Sequence, residues 1–498
     1  MSNKLRSKHH GRKTRPEWVC AVLALVLPGA VVADWKLSAS VGATETYTDN
    51  VGLGTNTGRQ RGDFITGVTP SFSAKKEGAR LKVDAQYALQ NLFYAQNSSL
   101  NSIFHQLNAR ANVELFENEF FLDTTATIAQ TALSPLNATG SDNLNASNNI
   151  ANNRAITLSP YWTHRFGSTA NLNVRNTASY VSNDSAEFSN STNNTFSAGL
   201  TSGSDFGRVS WGLNVLQTNS QFDNRSNVSF SSSSVSLGYL VSSRVRLTGT
   251  VGNENNSFQT TTGSTPGGAF WNANVAWSPS IRTSVDIGFG NRYFGNTWSF
   301  AFKTRGAHYN WTADYSESVN TSNNQFGNSG LSANVNQQQI ITDISLFNRN
   351  ILTNQVFLSK RFSTAFGLTR GRNEFRLAAF HSTQTTQIDQ NTNTVSQSLR
   401  SGALTNSNDI FLLTNDFKQL GFDGSWSWRL TPQITSNVTF GVVRNSFSGL
   451  NRTDTTSSLQ FGLNRQFSRQ LTGGVSLRHQ NRDSNQSTSD FKIGRAHV

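Results

Sequence analysis

The chain has 498 residues, of which only 14% are charged, with a formal net charge of +13 and a single cysteine. Asn, Ser, Thr and Gly dominate, yet aromatics reach 11% with 34 Phe, which excludes a disordered chain because disordered segments lack aromatic side chains. The bases are scattered, which excludes a nucleic-acid-binding surface built on a basic patch, and the lone Cys20 excludes a disulfide framework and thiol chemistry.

Residues 1–33 read as a secretory signal. Lys4, Arg6, Lys8, Arg12, Lys13 and Arg15 form a basic region, residues 18–27 are apolar, Pro28 and Gly29 break that run, and Val31, Val32 and Ala33 offer small residues for cleavage before Asp34. The apolar stretch is too short for a transmembrane helix and ends in a cleavage pattern. Cys20 lies inside it, so the mature chain has no cysteine. Removing the six bases and Glu17 of this segment leaves the remainder near +8.

After residue 33 there is no run of roughly 18 apolar residues, hence no further membrane-spanning helix is expected. Two-residue alternation replaces helical periodicity. Ala79, Leu81, Val83, Ala85, Tyr87, Leu89 and Phe93 fall on one face, opposite Arg80, Lys82, Asp84, Gln86 and Gln90. Leu107, Ala109, Ala111, Val113 and Leu115 oppose Gln106, Asn108, Arg110, Asn112 and Glu114, and the pattern returns at Ala269–Trp277 and Ala307–Tyr315. A period of two is the strand period, because successive side chains point to opposite faces.

The connections alternate in kind. Short ones are expected at 75–78, 117–118, 167–168, 206–208, 242–243, 279–280, 304–306, 371–373, 431–432 and 468–469. Longer Asn- and Ser-rich ones are expected at 49–62, 131–154, 182–194, 218–228, 252–267, 317–350 and 385–412. Short periplasmic turns alternating with longer external loops mark a transmembrane barrel. The fold class is therefore all-β, a transmembrane antiparallel β-barrel with about 21 strands, about 22 if complete. Residues 340–361 show no clean partner and read as part of a folded external loop or an inserted segment. Such a barrel needs no separate compact core, because its outer face is buried in lipid and closure satisfies every strand edge.

The barrel is expected over 34–492. Residues 493–498 (IGRAHV) read as the translation of a sequencing adapter, a non-native tail, so the native chain is expected to continue past Lys492 into a closing strand. Trp35, Tyr47, Phe93, Tyr94, Phe120, Phe121, Tyr161, Trp162, Trp277, Trp298, Phe300, Trp426 and Trp428 fall near strand ends or in outward rows and suit interfacial girdles.

No nucleophile, metal or phosphate signature of weight occurs, so no enzyme activity, catalytic residue, metal or cofactor is expected. Gly52-Leu53-Gly54 lies in a polar loop with no helix behind it. His308 and Asp314 share a face, but six strand residues span roughly 20 Å, too far for one acid/base pair. What remains is the polar inner face, whose candidate lumen-lining residues are Arg80, Lys82, Asp84, Arg110, Glu114, Arg175, Arg282, Asp286, His308 and Asp314. Rings of charged side chains set pore selectivity, and the same charges can instead pair and stiffen the wall. If anything occludes the pore, 317–361 and 385–412 are the candidates.

Three stretches carry a resemblance: residues 43–51 (ATETYTDNV), 78–95 (GARLKVDAQYALQNLFYA) and 357–369 (FLSKRFSTAFGLT). With these the chain resembles the outer-membrane β-barrel family associated with PEP-CTERM systems. The resemblance implies an outer-membrane protein accompanying exosortase and exopolysaccharide genes, concerned with export or surface display. It brings no catalytic residues. The leading expectation is a non-enzymatic barrel that passes or anchors exopolysaccharide, partnered by outer-membrane lipid, polysaccharide and periplasmic export components and by no nucleic acid. A general diffusion porin, a barrel-embedded hydrolase and an adhesin are the alternatives, and the oligomeric state is open.

Overall fold

In a computed structural model the alternating segments form one antiparallel sheet of 22 strands that closes on itself. The structure describes residues 35–54, 60–145, 147, 149–258, 266–332, 352–387, 409–414, 416–486 and 489–498. The signal segment lies outside these residues.

The strands run from β1 (Trp35–Thr48) to β22 (Phe491–His497), each paired with its neighbours in sequence. Each of the ten expected short connections falls at or next to a tight turn on one end of the barrel; at 75–78, 242–243, 279–280 and 304–306 the strands run further than expected, and the turns are 78–80, 243–244, 281–282 and 306–308. Several use a residue in the left-handed region, Asn118 (φ 58°), Gly167 (φ 57°) and Gly371 (φ 60°) among them. Asn and Gly tolerate that conformation, which is why they punctuate the alternation there. The long connections gather at the other end, the extracellular one.

Closure is narrow. β22 pairs along β21 (Thr472–Ser484) from Phe491 to His497, but among the described residues it meets the β1 side only from Glu45 to Asn50: at Thr46–Thr48, at a reciprocal backbone pair between Glu45 and Val498, and through Asp49 and Asn50, which donate to the carbonyls of Gly494 (3.3 Å) and Lys492 (3.0 Å). Residues 493–498 supply the greater part of this seam. From Trp35 to Thr44 the edge of β1 has no partner on that side among the described residues. The expected 340–361 loop is corrected in part: Val356–Arg361 belong to β16 (Val356–Arg370), where they pair with Thr321–Ser316 of β15 (Tyr309–Thr321).

The outward face is oily. Leu237, Val251, Leu420, Leu459 and Leu477 are all more than half exposed once no lipid covers them. On β18 (Asp416–Arg429), Trp428, Trp426, Phe422 and Leu420 point outward, and Phe375 and Trp426 stack at 5.8 Å near the short turns. Ten residues from Trp428 to Lys418, tilted, span about 25 Å, the height of an outer-membrane apolar band. The girdle expectation needs correction for Tyr94, Phe121 and Tyr161, which face inward. Tyr94 is buried with its hydroxyl donating to the Leu144 carbonyl (3.0 Å), and Phe121 and Tyr161 stack at 4.9 Å beside Arg175.

The expectation of no internal core also needs correction. Small apolar clusters sit within the extracellular half of the barrel: Phe357, Ile410, Phe411, Phe417 and Phe447 in one, Val51, Ile65, Leu92, Tyr94 and Leu144 in another. Their cause is the inward folding of loops. Glycine makes room for aromatic packing: the Phe380 ring lies over Gly421, its cross-strand partner, where an added Cβ would meet Cε1 at 2.2 Å. Overpacking such a site costs about 1–3 kcal/mol. Gly421→Ala is therefore expected to lower the temperature at which the folded barrel loses its fast gel mobility. An unchanged transition would show that the ring swings aside freely.

Candidate functional site

Because paired residues share a face, a register row identifies the inner wall. One row runs Asp84, Arg110, Thr125, Thr157, Ser179, Asn193 and Ser220 across seven consecutive strands. The five uncharged members are buried although none is apolar, so the polar face points inward. A lower row carries Asp123, which accepts from Asn112 (2.5 Å) and from Arg175 (2.8 Å); Arg175 also donates to Ser159 and lies 3.9 Å from the centre of the Tyr161 ring.

The structure places Lys82 and Asp84 on β3 (Leu81–Tyr94), Arg110 and Glu114 on β4 (Ser102–Phe116) and Arg175 on β7 (Ala170–Asn183). Asp286 lies on β13 (Thr283–Arg292), and Asp314 lies on β15, where it accepts from Ser363. Arg80, Arg282 and His308 lie in short turns rather than on wall strands, and Arg80 approaches Glu117 there at 3.6 Å. Glu114 bends toward its own turn and accepts from the Asn118 backbone (2.5 Å). Asp84, Arg110, Asp123 and Arg175 thus share one wall sector, while Asp286 and Asp314 lie on strands away from it. His105, His164, His381 and His479 sit at outward-facing strand positions, so no histidine among them shares an inner site with the carboxylates of the lumen.

The wall then changes character. The inward positions of β8 (Ser191–Ser202) are Ser191, Asn193, Thr195, Ser197, Gly199 and Thr201. Those of β9 (Val209–Phe222) include Ser210, Asn214, Thr218 and Ser220, and β10 (Val228–Ser242) adds Ser232, Ser234 and Ser236. This sector carries no charge on three adjacent strands; hydroxyl and amide side chains make up most of it, broken by Leu216 and turning apolar toward the extracellular end at Phe222, Val228 and Phe230, and Thr195 and Thr218 hydrogen-bond across it at 3.1 Å.

Loops fill the extracellular half. Residues 133–149 leave β5 (Phe120–Ala132) and cross to the far side of the seam, where Arg482 donates to the carbonyls of Asn137 (2.7 Å), Leu136 (3.0 Å) and Pro135 (3.1 Å). Arg452 donates to Leu136 as well (2.7 Å). The same loop reaches β3, with Asn143 donating to Gln90 (2.9 Å). A helix, α1 (Ser322–Ser332), enters from β15 and crosses to the opposite wall, where Thr157 donates to the Gly327 carbonyl (2.8 Å) and Ser220 to Asn324 (3.2 Å). Gly327 permits that approach: a Cβ there would meet the Ser179 hydroxyl at 2.6 Å. Of the two stretches expected to occlude the lumen, 317–361 supplies this helix. From 385–412, residues 388–408 lie outside the described residues. The segment 133–149, expected to be external, is the additional occluding element.

Buried charges pin the inserted loops. Asp142 is clamped by Arg478 (2.9 Å) and by Arg495. Burial alone would lift its carboxyl, but Arg495 and then Arg478 hold it below the usual carboxylate range. Asp409 accepts from Thr353 Oγ1 (2.8 Å), from the Asn354 backbone (2.8 Å) and from Phe411 (3.1 Å), while its own N–H donates to Glu187 (3.1 Å). Burial pushes its carboxyl up to about 6 despite those bonds.

Residues 421–498 match the family model described as "Putative beta-barrel porin 2". A closed 22-stranded wall with an oily belt outside and a polar face inside has one home. The protein is a porin-like outer-membrane β-barrel. None of the curated proteins matches the sequence. Among solved structures, the barrel is similar to Pseudomonas aeruginosa OccK9 (OpdG), at 10% identity over 93% of this chain and 97% of that one, with a TM-score of 0.34. It is similar also to OccK1 (OpdK) of the same organism, at 11% identity over 94% and 98%, with a TM-score of 0.36. The siderophore receptor PirA from Pseudomonas aeruginosa matches at 8% identity over 93% and 80%, with a TM-score of 0.38.

Sequence reasoning missed Asp142, Asp409, Asp454, Arg452, Arg478 and Arg482. The last four stand at alternating strand positions like any other wall residue, and a pattern search for inward charges on β20 (Arg452–Gln466) and β21 would have found them. Asp142 and Asp409 lie in loops with no periodic signal.

Proposed function

We propose that the barrel is a non-enzymatic channel for polyhydroxylated, saccharide-type solutes, with export or display of exopolysaccharide alongside a PEP-CTERM and exosortase system as its specific role. The observation that carries this reading is the uncharged wall of β8 to β10. Its Ser, Thr and Asn side chains offer donors and acceptors in rows, the complement of sugar hydroxyls, and the inward Phe121, propped by its stack on Tyr161 (4.9 Å) while Arg175 covers the other side of Tyr161, supplies an aromatic ring against which a sugar can lie. Both features act on neutral solutes, which a purely charged eyelet would not favour.

The second reading is a general diffusion porin. It is favoured by charges of both signs spread round the remaining wall, such as Lys82, Asp84, Asp286 and Asp314, with no single specialised row. Planar-bilayer conductance separates the two. Neutral oligosaccharide added to one side is expected to block current in a concentration-dependent way, and the block is expected to weaken when Tyr161 is replaced by Ala. Current indifferent to sugar would overturn the saccharide reading and leave the diffusion porin.

A further inference from the structure

The outward face of the barrel is apolar along its belt but carries a group of basic side chains at one place above it, on four adjacent strands. On β18, Lys418 follows Leu420 two residues toward the extracellular end, and both are exposed. On β19 (Ile434–Phe447), Arg444 follows Val442 in the same way and is exposed. Arg444 pairs with Leu420 in the register, so it stands diagonally beside Lys418; diagonal neighbours lie roughly 7–8 Å apart. His381 on β17 (Asn373–Thr386) pairs with the same Leu420 from the other side. Lys360 on β16 stands in the row of Lys418, separated from it by Thr383.

The alternation leaves no doubt about direction. The neighbours of Lys418, Phe417 and Gln419, are buried inside, and so are Val443 and Phe447 around Arg444. Two acids border the group. Glu317 lies 3.5 Å from Lys360 and balances that charge, and Asp416 stands one outward step above Lys418. Lys418 and Arg444 make no ion pair among the described residues. They are two adjacent cations pointing away from the protein at the height where the apolar belt ends, about 25 Å from Trp428. Anionic headgroups of the outer leaflet lie at that height, and cations at a membrane surface attract them by about 1 kcal/mol each.

We infer that the extracellular rim of β16 to β19 is a binding surface for a phosphorylated glycolipid of the outer leaflet, with Lys418 and Arg444 as the phosphate ligands and the Phe422, Leu420 and Val442 surface beneath them as the seat of its acyl chains. Arg suits the phosphate because its planar fork donates two parallel hydrogen bonds, while Lys adds a point charge. Apolar seat and cationic crown on adjacent strands favour a lipid over a free ion, which would need only the charges.

The test uses the full-length barrel in neutral detergent, with lipid A as probe, phosphatidylcholine as the uncharged-headgroup control, and native mass spectrometry to count bound lipid. The expected result is retention of lipid A and not of phosphatidylcholine. The double variant Lys418→Gln/Arg444→Gln is expected to lose at least about tenfold in retention, the loss of one good charged contact. Lys418→Arg/Arg444→Lys should retain the lipid, and Lys76→Gln, at the opposite rim, should change nothing. Fast gel mobility before heating verifies that each variant is folded. Equal retention by the double glutamine variant, equal retention of phosphatidylcholine, or complete displacement of lipid A by millimolar inorganic phosphate would each overturn the assignment.

Discussion

Arg482→Ala is expected to raise single-channel conductance severalfold. Arg482 is a main fastening of the inward segment 133–149: its guanidinium serves three consecutive carbonyls of that segment and the Asp454 carboxylate (2.5 Å), with side chains 5% and 0% exposed. Asp454 keeps its ion pair with Arg452 (3.0 Å) when Arg482 is removed, so the loss falls on the loop carbonyls, each of which gives up a buried charged donor worth about 1.5–3 kcal/mol. The barrel wall is held by strand pairing on both sides of Arg482, so the cost falls on the docked loop and not on the wall. The loop should leave the lumen, the passage widen, and a protease nick appear within 133–149 while the barrel keeps its fast gel mobility. Unchanged conductance in a folded Arg482→Ala barrel would show that this loop does not limit the passage.

Acid should close the extracellular cap and neutral pH loosen it. Asp409 ties three loops: its own segment, the Thr353–Asn354 stretch before β16, and Glu187 in the loop after β7. Among the described residues, Glu187 and Arg225 act on it by charge. Docked, its carboxyl titrates at about 6 through burial; undocked and in water it should titrate near 3.9. The docked state therefore binds the proton more tightly, so docking is fully supported below about pH 4 and loses that support as pH rises through about 6. A two-unit difference is worth on the order of 3 kcal/mol. Open dwell times in planar bilayers should lengthen between pH 4.5 and pH 7 and stay level above that. Asp409→Asn, which mimics the protonated acid, should remove the step and keep the cap shut at pH 7. A step of the opposite sign would refute this account of the cap.

The wall of this barrel was legible because each strand crosses the membrane under a local rule. Ala79 to Phe93 alternate with Arg80 to Gln90 whatever lies elsewhere in the chain, and a tight turn such as that around Gly167 or Gly371 announces itself by a residue that tolerates positive φ. Alternation separates two faces without naming them, however. Tyr161 and Trp162 are equally aromatic neighbours on β6 (Ile150–Phe166), and only the partners on the adjacent strands, Arg175 and Phe121, show that Tyr161 turns inward.

The loops obey no local rule. Residues 133–149 have the Asn- and Ser-rich composition of any solvated loop, and the contacts that hold them inside join positions far apart in sequence, 345 residues in the case of Arg482 and Asn137. By itself the sequence determined an antiparallel membrane-spanning wall with two unlike faces, since strand period, turn chemistry and segment length are properties of neighbours along the chain. Which loops enter the lumen, which charges fasten them and where cations crown the lipid face were decided only when closure brought distant strands side by side, because buried ion pairs and register rows exist only between segments that the fold makes adjacent.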